Sequence, residues 1–357
     1  MISVKRQYAL TMPPTLHISP AQRQLLRSVS RSFDLSIRLL PAAVRAPVAV
    51  GYLLARATDT VADTTALPAP ERLALLSGMS QAIQSPAGTL HGLQPLLAQF
   101  ASHQTDPHER ALMQALPQCL PMLHALPPAD QASVRWVLSH ITHGQVLDIE
   151  RFGPGLNALD TQQALDDYTW LVAGCVGEFW TQLCERHLPD FANQPVPAMH
   201  AAGRQYGMGL QRLNILRDAG ADLAAGRCYL PAERLSALGL SPESLAQAAQ
   251  TGDARTLHKL TPLWDEYLQQ TQDQLSQGLF YSQALTQGRL RLASALPALI
   301  GARTVALLRQ AGTQALTQRV KMPRREVHHL LVRLICGFAS PNALGREFIR
   351  LSTRPSP

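Results

Sequence analysis

Four polar residues interrupt the otherwise apolar stretch YLLARATDTVAD, Tyr52 to Asp63. Tyr52, Arg56, Asp59 and Asp63 recur at i, i+4, i+7 and i+11, the spacing of one face of an α-helix. Val48, Ala49, Val50, Leu53, Leu54, Ala57 and Val61 surround them, which predicts a helix buried on its other faces. Two carboxylates in such a setting need a metal, a cation or a charged ligand, because lone ionised groups are costly to desolvate. A second stripe lies in LQRLNILRDAGADLAAGR, where Gln211, Asn214, Asp218 and Asp222 fall at i, i+3, i+7 and i+11. Each stripe closes on Asp-x-x-x-Asp. A carboxylate pair one turn apart suits Mg²⁺, with Mn²⁺ as a substitute, because such an ion completes its shell with waters and substrate phosphate oxygens. Facing each other across a helical bundle, the two pairs would hold a metal-bridged diphosphate. Arg56, Arg217 and Arg227 would add guanidinium forks that stay charged when buried.

Helices must position these residues, and the rest of the chain is written for helices. Of 357 residues, 46% are hydrophobic and 16% charged, with Ala, Leu and Gln abundant and β-branched residues sparse. Pro41 breaks the chain before the first stripe, and Thr64 to Pro70 reads as a loop. Pro117, Pro121, Pro127 and Pro128 read as punctuation of the region that follows. Helices are predicted from Asp130 to Phe152, stopped by Gly153-Pro154-Gly155, then from Thr161 to His187 and from Pro197 to about Leu223. GRCYLP then reads as a turn, a helix C-terminus followed by a Gly stop and a Pro start, compatible with Arg227 and Tyr229 facing a ligand. With no repeat or composition shift, the expectation is one all-α domain over 19–350, with an irregular segment 1–18 and a polar tail 351–357.

Charge and cysteines bound the partners. A net charge of +7 calls for an anionic partner, but short Lys/Arg runs and 5% aromatic residues argue against nucleic acid. Five scattered cysteines without a CxxC pair suggest a reduced, cytoplasmic setting. No signal-peptide pattern opens the chain, and LASALPALIGARTVALL, the nearest approach to a membrane span, is interrupted by Pro297 and Arg303. Membrane contact is therefore expected to be peripheral. His140, His143 and Asp148 in HITHGQVLDIERF could be read as metal ligands, or Gln145, Asp148 and Arg151 as a polar face turned to a cavity or solvent.

SRSFDLSIRLLP from Ser30, YLLARATDTVAD, YTWLVAGCVG from Tyr168 and QRLNILRDAGADLAAGRCYLP from Gln211 together resemble the squalene and phytoene synthase family. The likeness runs in order from about Ser28 to Arg325. It implies a single-domain isoprenoid-synthase helical bundle with a central active-site cavity. It also implies head-to-head condensation of two prenyl diphosphates through a cyclopropylcarbinyl diphosphate. On this resemblance Asp59, Asp63, Asp218 and Asp222 ligate Mg²⁺, and Arg56, Arg217 and Arg227 bind diphosphate. Ser30, Arg31 and Phe33 border the site, Gln211 and Asn214 face the cavity, and Tyr52, Tyr168 and Tyr229 are its tyrosines. Tyr168 is the expected residue nearest proton transfer.

Departures from the family pattern narrow the expectation. Ala221 stands where an acidic residue is common in the second motif, while DTVAD in the first is nearer to squalene synthases than to phytoene synthases. SRSF and VKMPRREV also fit bacterial squalene-synthase-like sequences. The favoured product is squalene from two farnesyl diphosphates through presqualene diphosphate, with NADPH as reductant. Phytoene, dehydrosqualene or presqualene diphosphate synthesis without reduction are the alternatives, followed by a non-catalytic assembly role. No GxGxxG motif is present; in the family that the chain resembles the reductant binds without it, and Lys321, Arg324 and Arg325 are the candidate NADPH phosphate contacts. The same cluster suits a solvated helix end or an anionic membrane surface.

Overall fold

The computed structural model describes residues 39–64, 67–336 and 340–353, together with Gln24 and Ile37. Ser30, Arg31 and Phe33 lie outside the described residues. The first stripe sits on α1 (Ala42–Asp63), which follows Pro41 as expected. Then come α2 (Ala69–Gln84), α3 (Gln94–His103), α4 (Pro107–His124) and α5 (Pro128–Arg151). Pro117 and Pro121 were expected to punctuate this region, yet both lie inside α4. They are one turn apart, so the backbone bonds that proline removes are lost on one side of the helix, and packing by Leu112, Leu116, Leu120 and Leu123 holds the rest. Pro127 and Pro128 do punctuate, at the start of α5.

The expected helix over Thr161 to His187 is divided. Thr161 caps α6 (Gln162–Thr169) by accepting from the Ala164 amide, a π-turn occupies Trp170–Gly174, and α7 (Cys175–His187) follows. Next is α8 (Val196–Ala224), the longest helix among the described residues, which carries the second stripe. The π-turn and α7 pack against α8 through glycines. A Cβ at Gly177 would sit 1.9 Å from the Gly203 carbonyl oxygen, and one at Gly207 would sit 2.1 Å from that of Ala173. This backbone contact is the physical reason for small residues in the VAGCVG segment.

Gly226, at φ +81, ends α8 and turns the chain into β2 (Arg227–Cys228). That strand pairs in parallel with β1 (Asn157–Ala158), matching Asn157 with Arg227 and Ala158 with Cys228. The ladder ties the end of α5 to the end of α8. The short helices α9 (Ala232–Ser236), α10 (Pro242–Thr251) and α11 (Ala254–Lys259) lead to α12 (Thr261–Ala284) and α13 (Gly288–Ala311). The chain closes with α14 (Arg324–Cys336) and α15 (Pro341–Thr353), so the segment read as a polar tail begins as helix through Thr353.

Two apolar clusters make the core. One gathers α1 to α5, α7 and parts of α8, α12 and α13 around Leu54, Leu76 and Leu138. The other gathers α8 to α15 around Leu216, Trp264 and Leu299. Asp130, 2% exposed, stitches α5 to α7 by accepting from Arg186 at 2.8 Å and lying 2.7 Å from His187 Nε2. Helix α13 is apolar and long enough to cross a bilayer, but 78% of its apolar window is buried inside the protein. Within it Arg303 is fully buried and donates to Glu326 of α14 at 2.9 Å. It is a core helix. The described cysteines Cys119, Cys175, Cys184 and Cys228 are unpaired and buried, and burial pushes each thiol up to about 12.

Replacing Gly177 with alanine should destabilise the protein by at least about 1–3 kcal/mol, because two backbones rather than a flexible side chain would have to move apart. Thermal denaturation beside a Gly153→Ala control, whose added Cβ meets nothing within 4 Å, checks this. An unchanged Gly177→Ala midpoint would contradict the packing described.

Candidate active site

The two stripes meet at the seam between the apolar clusters, with residues from α1, α4, α5, α6, α8 and the β2 turn. On α1, Arg56 donates to Asp59 Oδ2 at 2.5 Å and pairs through its second nitrogen with Glu109 of α4. On α8, Arg217 makes a two-pronged contact with its neighbour Asp218, at 3.0 and 2.5 Å. Gln211 and Asn214 are half-buried one and two turns earlier, and the Asn214 amide donates to Gln211 at 3.4 Å. Arg227, brought in by the β-ladder, donates to Asp222 at 2.9 Å. Its Nε is buried without a hydrogen-bond partner.

Electrostatics joins the two helices. The positive charge of Arg227, after β2 has placed it, acts on Asp63 of α1 as well as on Asp222. Asp63 in turn acts on Asp148 and Tyr168. Burial and the Asp63 charge push the Asp59 carboxyl up to about 6, against the pull of Arg56. Burial pushes Asp222 up to about 6, with Asp218 and Asp148 adding repulsion and Arg227 opposing it. Asp63 is also raised by burial, although its side chain reaches solvent and Arg227, Arg56 and Arg72 oppose the shift. Dense protein around a water-reached carboxyl is the signature of a recess, and Asp59, 41% exposed, has the same character.

A tyrosine pair forms one wall. Tyr229 donates to Asp148 Oδ1 at 2.6 Å, and Tyr168 points its hydroxyl at Tyr229 at 3.5 Å. The rings stack with centroids 5.2 Å apart, and Phe152 meets Tyr229 edge-on at 4.8 Å. Burial raises both phenols above the ordinary range, so both stay neutral. Tyr52, on the α1 stripe, lies close enough to influence Arg56.

Of the predicted residues, the structure brings together Tyr52, Arg56, Asp59, Asp63, Tyr168, Asp222, Arg227 and Tyr229, and places Gln211, Asn214, Arg217 and Asp218 along the same α8 stripe. Lys321, Arg324 and Arg325 are exposed at the start of α14 and have no ion-pair partner among the described residues. The reading of His140, His143 and Asp148 as a metal set is not what the structure holds. His140 packs between Trp136 and Trp170, at 4.8 and 4.7 Å, and burial lowers its pKa. Asp148 instead faces Tyr229, Arg151 pairs outward with Asp160, and Gln145 is buried with its carbonyl oxygen unpartnered. The polar-face alternative thus holds for Asp148.

Glu109 was missed by sequence reasoning. It stands 53 residues from Arg56, and its signal was only an acidic side chain in the first turn of α4. Among the described residues no three or more His, Cys, Asp or Glu side chains close into a metal cage. Hard oxygen donors in pairs, crowded enough to raise their own proton affinity, fit a Mg²⁺ ion that takes its other ligands from water and phosphate.

The fold class is that of the all-α isoprenoid synthases: a structure of TcSQS with the ligand E5700 aligns with TM-score 0.74 at 20% identity, covering 94% of this chain and 91% of that one. The squalene/phytoene synthase family model matches residues 26–326, and the chain belongs to that family. Squalene synthase ERG9 of Saccharomyces cerevisiae is 29% identical over 223 residues, 62% of this chain and 47% of the yeast protein. A bifunctional lycopene cyclase/phytoene synthase of Colletotrichum graminicola is 28% identical over 245 residues, 66% of this chain and 38% of that protein. The chain spans about half the length of the curated relatives it matches, or less.

The raised carboxyls set a pH dependence for the metal-free protein. A carboxyl whose pKa is higher folded than unfolded binds more protons in the folded state, so stability falls as pH rises from the unfolded value of about 4 through about 6. Asp222→Asn should remove part of this loss, on the order of 1–2 kcal/mol after allowance for solvent access. Urea unfolding in chelator at about pH 5 and about pH 7 measures it. A variant with the wild-type pH slope would contradict the assignment.

Proposed function

We propose that this chain condenses two farnesyl diphosphates head to head through presqualene diphosphate and, with NADPH, reduces the rearranged product to squalene. The observation that carries the reading is that Arg227, paired with Asp222 of the second Asp-x-x-x-Asp motif at 2.9 Å, lies close enough to act on Asp63 of the first. Family membership and the match to squalene synthase ERG9 support it.

Asp59 and Asp63 on one side and Asp218 and Asp222 on the other would hold Mg²⁺. The ion would supply charge neutralisation as diphosphate leaves an allylic carbon. Arg56, Arg217 and Arg227 bind phosphate oxygens, and each already pairs with a carboxylate, so part of the site's negative charge is offset before substrate arrives. Glu109 holds the second edge of Arg56 and fixes its direction. In the first half-reaction one allylic diphosphate ionises, its carbon bonds to the second substrate's double bond, and a proton is lost as the cyclopropane closes. The second diphosphate then ionises and the cation rearranges; NADPH, if held by Lys321, Arg324 and Arg325, would supply the hydride that reduces it.

Tyr168 is assigned to the proton step. Its hydroxyl lies 3.5 Å from that of Tyr229 and is bonded with Asp148 as well, which holds the neutral phenol in a fixed orientation beside the proposed cation. Gln211 and Asn214, with Ser30, Arg31 and Phe33, are assigned to the cavity lining on family resemblance. Lys321, Arg324 and Arg325 are assigned to NADPH phosphates, supported by exposed positive charge that has no ion-pair partner among the described residues.

Incubation with farnesyl diphosphate and Mg²⁺, with and without NADPH, followed by mass spectrometry of extracted products, tests the reading. Squalene formed only with NADPH is expected. Presqualene alcohol after phosphatase, or dehydrosqualene with or without NADPH, would move the chain to a non-reducing branch, a reading the phytoene synthase relative supports. Asp63→Asn and Asp222→Asn should each lower kcat by about 10²–10³-fold with folding retained. Tyr168→Phe should lower kcat by about 10²-fold and change KM little. Full activity in either aspartate variant would remove the metal assignment.

A further inference from the structure

We propose that the outer face of the α14–α15 pair is a docking surface for an anionic lipid bilayer. From 319 to 353 the chain carries seven Arg and Lys residues against two glutamates, a large part of its net charge of +7. Both glutamates are withdrawn from the surface. Glu326 is 7% exposed and pairs with the buried Arg303, while Glu347 is 8% exposed and pairs with Arg350 at 2.5 Å and Arg333 at 3.6 Å. The exposed charge of this region is therefore all of one sign.

Helical spacing gathers the exposed residues. On α14, Arg325, His328, His329 and Val332 fall on one side, while Glu326, Leu330 and Leu334 turn inward. On α15, Asn342, Arg346, Ile349 and Thr353 fall at i, i+4, i+7 and i+11, opposite the buried Leu344, Phe348 and Leu351. The two helices share a cleft of about 420 Å³ lined by Glu326, His329, Val332, Arg333, Arg350 and Leu351, so their outer faces adjoin. Ile349 at 64% and Val332 at 59% are the most exposed large apolar side chains among the described residues. An aliphatic residue on each of two adjoining helices, set in a cationic field, suits shallow insertion between anionic headgroups.

The choice of a bilayer over an acidic protein rests on the proposed reaction, whose amphiphilic substrates and hydrocarbon product partition into lipid. The face itself rests on charge and exposure. Its test is co-sedimentation of the full chain with phosphatidylcholine vesicles with and without phosphatidylglycerol, at low and high salt. Binding that needs phosphatidylglycerol and weakens with salt is expected, and Val332→Glu/Ile349→Glu and Arg346→Glu should each lower the bound fraction about tenfold. Far-UV circular dichroism and turnover of detergent-dispersed farnesyl diphosphate should be unchanged in those variants. No vesicle binding by the wild type, or equal binding by both variants, would overturn the proposal. Normal vesicle binding without turnover would sink the proposed reaction and leave the docking face standing.

Discussion

Like charge held at close quarters in a half-buried recess is the constraint around which this fold is organised. Burial, with repulsion from Asp63 on Asp59 and from Asp218 and Asp148 on Asp222 added to it, leaves the carboxyls of Asp59 and Asp222 holding their protons to about pH 6. The protein offsets this with arginines rather than by separating the acids. Arg56, Arg217 and Arg227 each contact one carboxylate, and Arg227 bears on a second from the opposite helix. A recess arranged in this way favours a positive ion and a polyanion arriving together over either alone.

Rigid scaffolding is what keeps such a recess from relaxing. The β1–β2 ladder is only two residues long in each strand, yet it fixes the ends of α5 and α8, and with them Asp148 and Asp222. Glycines at 177, 203 and 207 bring α8 into backbone contact with the π-turn and α7, so the helix bearing Asp218 and Asp222 has little room to slide. The π-turn widens the helix next to Tyr168, a local irregularity placed beside the tyrosine wall.

The residues legible in the sequence are those whose relation is local. Asp59 with Asp63, and Asp218 with Asp222, announce themselves by helical spacing, and the turn after Gly226 is written in its glycine and the proline that follows. The Arg56–Glu109 and Tyr229–Asp148 contacts span 53 and 81 residues, and no spacing rule connects such positions. Pro117 and Pro121 misled because local propensity marks a break where tertiary packing sustains a helix. The division of the Thr161–His187 segment was hidden for a similar reason, since an inserted residue in a helix leaves composition unchanged. Charge without geometry, as at Lys321, Arg324 and Arg325, gave residues but not their neighbours.

Arg303 sets α13 apart from a membrane span of the same length and hydropathy. Helix α13 has the length and hydropathy of a bilayer-crossing segment, and a nascent chain presents it before α14 has been made. An arginine near the middle of such a segment costs about 2.5–3.5 kcal/mol for insertion through a translocon. Inside the folded protein the same guanidinium meets Glu326 and is fully enclosed. One side chain that would be costly in lipid is thus satisfied inside the protein, where Glu326 of the next helix meets it. The lipid-like composition of the helix is thereby kept for the interior of the protein.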